Sequence, residues 1–177
     1  VRHFEHESHR STLRRSADGE ASKARNLDRI KPSIATSPPP PTTVLGNWYA
    51  AALFWKPQLA LPVNEVTVLP VLMPLAAFST LSARFPGELA VALARHGISR
   101  AAIDREVAAM TVVAFAKTAN RSVLGIMNEF SFLAEACRDD LETSDLLTLS
   151  MRLADTPCSP IKHNSPARLV KEIFADG

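Results

Sequence analysis

Four consecutive prolines, Pro38 to Pro41, set the organisation of this chain. Proline fixes its own φ and has no N–H to donate, so the run holds an extended polyproline conformation and can enter neither a helix interior nor the middle of a sheet. The residues before it are mainly Ser, Arg, Ala and Glu. Such a segment buries too little apolar surface to offset the entropy of ordering it. After it the character changes at Val44, and Trp48, Tyr49, Phe54 and Trp55 fall within eight positions, which marks the start of a core. The sequence therefore predicts a disordered basic arm and Pro-rich linker over residues 1–42. It predicts a single domain over residues 43–177, a length that suits one hydrophobic core rather than two.

Charge is divided along the same line. Residues 1–31 carry eight Arg or Lys against five Asp or Glu, while the whole chain has a formal charge of +2, so the folded part is close to neutral. It lacks the basic footprint that attracts a nucleic-acid backbone, and nucleic acid is disfavoured as a partner. Two cysteines, Cys137 and Cys158, form neither a disulfide framework nor a C-x-x-C pair, which fits a reducing, cytoplasmic compartment. No stretch approaches the ~18 apolar residues that cross a bilayer, so no membrane partner is expected.

Periodicity predicts an α+β fold: a small mixed or antiparallel sheet with a β-hairpin, packed by four to five helices. Trp48 to Leu53 fits a helical turn or a strand. Gln58 to Val63 and Val66 to Leu75 read as strands joined by a hairpin at Asn64-Glu65, with Pro57, Pro62, Pro70 and Pro74 implying edge or bulged positions. Pro86 reads as a first helical residue, with Leu89, Leu93 and His96 at helical spacing and Gly97 as the stop. Ser99 caps a second helix carrying Ile103 and Val107, and Met110 to Phe115 reads as a buried strand. A third helix spans Ser122 to Arg138 with Val123, Met127, Phe130, Ala134 and Cys137 on one face. A fourth, led by Ser144, carries Leu146, Leu149 and Leu153; Ser165-Pro166 opens a fifth.

The candidate site is the polar turn Lys117 to Gly125 between a strand and a helix. Free N–H groups at a helix start attract anions, and Lys117 and Arg121 add formal charge there. Lys117, Thr118, Asn120, Arg121, Ser122 and Asn128 are the candidate ligand-binding residues. The plainer alternative is that Asn120 or Thr118 only caps the helix. The spacing is not that of a phosphate-binding P-loop. No nucleophile, base and orienting group can be picked out together, so no catalytic residue is assigned. Glu129 is a general base only if it faces a cleft, and His163 lies in a loop that either lines a site or faces water. His3, His6 and His9 have metal-ligand spacing but no fixed surroundings in an arm, so no metal and no cofactor are expected. Cys158, without a visible base or positive neighbour, reads as structural or incidental.

Several stretches bear a family resemblance: Gly46-Asn47-Trp48-Tyr49-Ala50, Asn64-Glu65 with Leu69-Pro70-Val71-Leu72, Phe115-Ala116-Lys117-Thr118-Ala119-Asn120-Arg121-Ser122-Val123-Leu124-Gly125 with Met127-Asn128, and Thr156-Pro157-Cys158. On these the chain from Thr42 onward resembles a bacterial family of uncharacterised proteins, domain of unknown function 6933. The resemblance implies a single domain and lends no function. Family members begin with a short strand and a basic helix, which residues 1–35 do not match; Lys23 to Ile30 is at most a remnant of that helix. A missing strand implies an unpaired sheet edge.

These readings combine into a non-catalytic binding or accessory domain that contacts an anionic small molecule or a protein partner at the Lys117–Gly125 turn. One alternative is an enzyme for a phosphorylated or nucleotide substrate, using Glu129 or His163 near Arg121. The other is nucleic-acid binding through the arm, which its interspersed acids oppose.

Overall fold

The sheet is organised around β3 (Leu59–Asn64), all six residues of which are buried. The computed structural model describes residues 34–35, 40–110, 115–116, 120–137 and 145–175. β2 (Trp48–Leu53) pairs antiparallel with β3, from Trp48 opposite Asn64 to Leu53 opposite Leu59. β4 (Met73–Pro74) pairs antiparallel with the other edge of β3. Trp48 to Leu53 is thus a strand and not a helical turn.

The hairpin expected at Asn64-Glu65 is present, with a longer connection than two residues. Asn64 N donates to Leu69 O at 3.0 Å, Val71 N to Pro62 O at 2.9 Å and Leu75 N to Gln58 O at 3.0 Å, a single register along the whole hairpin. The prolines do not make β3 an edge strand, because β3 is central. Pro62 faces β4, so only its own N–H is missing from a pair in which Val71 still donates. Pro70 and Pro74 stand opposite Val63 and Leu59, at positions of this register whose nitrogens point away from β3.

Burial on both faces explains why β3 shows no alternation of polar and apolar residues. Leu59, Leu61 and Val63 join Val123, Ile126, Met127 and Phe130 of α3 (Arg121–Cys137) and Leu149 and Leu153 of α4 (Leu146–Ala154). Residues of opposite parity on the returning strand, Leu69 and Val71, join Leu89 and Leu93 of α1 (Leu81–Arg95), Ile103 of α2 (Arg100–Ala109) and Val170 of α5 (Pro166–Ala175). Successive side chains of a strand point to opposite faces, so the helices divide between the two sides of the sheet.

Local signals account for most helix ends. Ser99 Oγ accepts from Ala102 N, and Ser165 Oγ accepts from Arg168 N at 3.3 Å ahead of Pro166. Gly97 adopts φ +82° while Ile98 N donates to Leu93 O and Gly97 N to Ala94 O, the bond pair of a Schellman stop. Two ends differ from expectation. α1 begins at Leu81, after a 3-10 turn at Phe78–Thr80, and carries Pro86 inside. Burial of Leu81 against Ala60 and Met73 rewards the earlier start. The cap of α4 is Asp145, not Ser144: its carboxylate accepts from Thr148 N at 2.9 Å and from the Thr148 hydroxyl. Those bonds hold the Asp145 carboxyl below its usual range.

Of the strand expected at Met110 to Phe115, residues 111–114 lie outside the described ones; β5 is Phe115–Ala116. It pairs in parallel with β1, Ile34–Ala35, a strand within the stretch read from the sequence as arm and linker.

His96, the C-cap of α1, is 5% exposed. Burial, and then the charge of Lys171 on α5, push its pKa below the usual histidine value, while Asp155 pulls it the other way. The folded protein therefore holds this proton less tightly than the unfolded chain. The stability due to neutral His96 is complete above about pH 6.5 and is lost as the pH falls from there through the folded-state pKa. Urea midpoints should drop more between pH 7.5 and pH 5 for wild type than for His96→Gln; equal drops would show that His96 does not carry the dependence.

Candidate functional site

At the entrance to α3, side chains from three separated segments share hydrogen bonds. Asn120 caps the helix: its Oδ1 accepts from Ser122 N at 3.1 Å and from Val123 N at 3.3 Å. Its Nδ2 donates to Glu65 Oε1 at 3.5 Å, and the Tyr49 hydroxyl donates to the same oxygen at 3.2 Å. Asn47 Nδ2 donates to Glu65 Oε2 at 3.1 Å, and Glu65 N donates to Asn47 O at 2.9 Å. Glu65 follows β3 directly and reaches back across β2 to the helix, so it joins hairpin and helix. Burial, then the charge and hydrogen bond of Glu65, raise the Tyr49 pKa above that of a free phenol, so Tyr49 acts as a donor and not as a phenolate base.

Asn64 is wholly buried and points the other way. Its Nδ2 donates to Leu45 O at 2.8 Å and Asn47 O at 3.1 Å. Its Oδ1 accepts from Val66 N at 3.1 Å, Thr67 N at 2.8 Å and Thr67 Oγ1 at 2.9 Å. Asn47 is thus held by both Asn64 and Glu65.

Lys117 and Thr118 lie outside the described residues. Asn120 is half-buried, whereas Arg121, Ser122 and Asn128 are exposed on α3. Glu129 is exposed as well, on a flank of the helix where its charge reaches Cys158. His163 is elsewhere, in an open cleft of about 540 Å³ whose lining also includes Lys162, Asn164 and Arg168 but none of Arg121, Asn128 or Glu129. The geometry that an enzyme built on Arg121 and His163 needs is therefore not that of this cleft. Cys158 is 2% exposed, its Sγ donates to Thr156 O, and burial followed by Glu129 pushes the thiol up to about 11. A thiol so shifted is a poor nucleophile at neutral pH, in keeping with a structural role. Cys137 is half-buried against the same core.

Among the described residues, no group of three His, Cys, Asp or Glu side chains is placed to hold a metal ion, and no helix is long and apolar enough to cross a membrane. His3, His6 and His9 lie outside the described residues.

Asn47, Tyr49 and Glu65 were not among the residues expected to form the site. Their signal was present as polar side chains set into apolar runs, Gly46 to Ala50 and Val63 to Leu69. The distance in sequence from Asn120 hid their common destination.

A family model described as domain of unknown function (DUF6933) matches residues 24–169. No curated protein matches the chain. No solved structure matches it either.

Proposed function

We propose, from the premise that this chain belongs to the DUF6933 family, that it is a non-catalytic binding or accessory domain whose contact point is the first turn of α3. The observation that carries this reading is the bracing of Asn120 by Glu65, which Asn47 and Tyr49 hold in turn. A first turn held from behind has little ordering entropy left to lose when it binds. It presents Arg121 and Ser122 outward at the positive end of a 17-residue helix. An anionic group, phosphate or carboxylate, fits the planar donors of Arg121. Two of the leading N–H groups already bond to Asn120, and the Glu65 carboxylate sits behind it. Affinity therefore rests on the Arg121 guanidinium and weakens with salt. The cysteines, one buried, one half-buried and both free, support a reducing, cytoplasmic setting.

A thermal-shift panel of phosphate, sulfate, mono- and trinucleotides and short RNA, run on wild type and Arg121→Ala, tests the reading. One anion class should raise the melting temperature with concentration, through a stabilisation of about 2.7 kcal/mol at a hundredfold excess over Kd. The exposed Arg121→Ala variant should melt like wild type without ligand and show no shift with it. Absence of any shift in wild type, or a shift that survives Arg121→Ala, would sink the assignment.

A further inference from the structure

The face of α3 that points away from the core carries more apolar surface and less bulk than a purely solvated face requires. α3 buries Val123, Ile126, Met127, Phe130 and Ala134. On the opposite side, Arg121, Leu124, Gly125, Asn128, Phe132 and Glu135 recur at helical spacing as one exposed stripe. Phe132 is 74% exposed and Leu124 38%. A Cβ placed on Gly125 would meet nothing within 4 Å, so packing inside this domain does not call for a glycine there. Glycine weakens a helix interior relative to alanine, and what it supplies instead is bare backbone that another surface can approach closely.

The stripe is complementary to itself in one orientation. When two copies of α3 lie antiparallel with Asn128 at the crossing point, Arg121 of each faces Glu135 of the other. Phe132 faces Leu124 and the dent over Gly125, and the two Asn128 amides face each other. A parallel arrangement sets Arg121 against Arg121 and Glu135 against Glu135, and leaves both dents unfilled. We infer that α3 is the interface of a two-fold homodimer, built from an antiparallel pair of α3 helices in this register. Like any two-fold contact it uses the same patch twice, so each ion pair and each ring-in-dent contact occurs twice. A contact limited to one helix of about 25 Å is smaller than the ~1,600 Å² of a standard interface, so the dimer exchanges with monomer at micromolar concentrations.

This inference does not rest on the anion-binding reading. Sedimentation of the full chain across micromolar concentrations should show a reversible dimer. Phe132→Asp, Glu135→Arg and Arg121→Glu should each weaken it by about tenfold or more, and Arg121→Glu combined with Glu135→Arg should restore it. These side chains are exposed, and melting like that of wild type at concentrations below the dimerisation range checks that each variant is folded. A wild type that stays monomeric, or a dimer indifferent to these substitutions, would overturn the proposal. Weakening by the single charge reversals without recovery in the pair would overturn the register. Phe132→Asp and Glu135→Arg leave the Arg121 guanidinium in place, so loss of dimerisation and loss of an anion-dependent shift are separable outcomes.

Discussion

Replacing Asn64 with Leu should lower the stability of the protein by about 4 kcal/mol, read as a fall in the urea midpoint at unchanged slope. The side chain makes five hydrogen bonds in a wholly buried position. Leucine has the same branched skeleton and is larger, so the loss does not come from a cavity. It comes from the backbone groups left without partners, the carbonyl of Leu45 and the N–H groups of Val66 and Thr67, while the Asn47 carbonyl keeps its bond from Glu65 N. Each buried orphan costs about 1–3 kcal/mol, and partial rearrangement keeps the sum below the total. Val68, held at φ +50°, an uncommon value for a β-branched residue, lies in the loop that Asn64 closes. Relaxation at Val68 is one source of that rearrangement. Asn64→Asp separates the two halves of the site. It keeps an acceptor for Val66 and Thr67 but sets a second oxygen against two carbonyls, so it should cost about half as much. A loss under about 1 kcal/mol for Asn64→Leu would mean that the loop finds other partners.

Glu106→Ala should cost about 3 kcal/mol and Glu106→Gln about 2, measured in the same way. Glu106 is 2% exposed on α2, and its two carboxyl oxygens accept from Val44 N at 2.8 Å and Leu45 N at 3.1 Å. Those amides lie three and four residues beyond Pro41, so Glu106 ties the segment after the polyproline run to α2. Thr42 Oγ1 adds a bond to Ala109 O at 2.8 Å on the same helix. Glutamine keeps the shape but offers a single acceptor and turns an NH₂ toward an N–H donor. Alanine removes both acceptors and opens a void. The ordering of the two variants is the informative part, because a merely solvated Glu on a helix face would tolerate both within about 0.5 kcal/mol.

Asn64 and Glu65 are adjacent in sequence and do different work because successive residues at the end of a strand face opposite sides. Asn64 closes the hairpin from inside the core. Glu65 reaches the outer end of α3 through Asn120. Both hold Asn47, so weakening either should loosen the first turn of α3, on which the proposed anion contact depends. The same helix presents its outer stripe to the proposed second copy. Its inner face holds it to the sheet, its first turn is braced by the hairpin, and its outer face stays free for contact.

The elements that could be read from the residues are those decided within a few positions of themselves. Ser99, Ser165-Pro166 and Gly97 begin or end helices because the hydrogen bonds they form or release lie in the adjacent turn, and the structure has them in those roles. The apolar stripes of α3, α4 and α5 and the hairpin at Asn64 followed from periodicity and composition for the same reason. Membership of the family rests on the match over residues 24–169, which takes in the stretches around Trp48, Asn64, Arg121 and Cys158. Asn120 could be named as a cap from the sequence. That Glu65 and Tyr49 stand behind it could not, because 55 residues separate Asn120 from Glu65.

Tertiary packing decided the rest. Pro86 has the local character of a helix start, yet Leu81, buried with Ala60 and Met73, extends α1 backward past it. β3 carries Pro62, which marks an edge by local rules, and is nevertheless central because β2 and β4 pair with its two edges and only one donor is lost. Glu106 reads as one more charge in Asp104-Arg105-Glu106 until the segment at Val44 folds over it. Capping and turn chemistry act over one turn and are written into the residues themselves. Burial depends on which distant segment arrives at a surface, and that is what made Asn64 and Glu106 structural centres and left the outer stripe of α3 exposed.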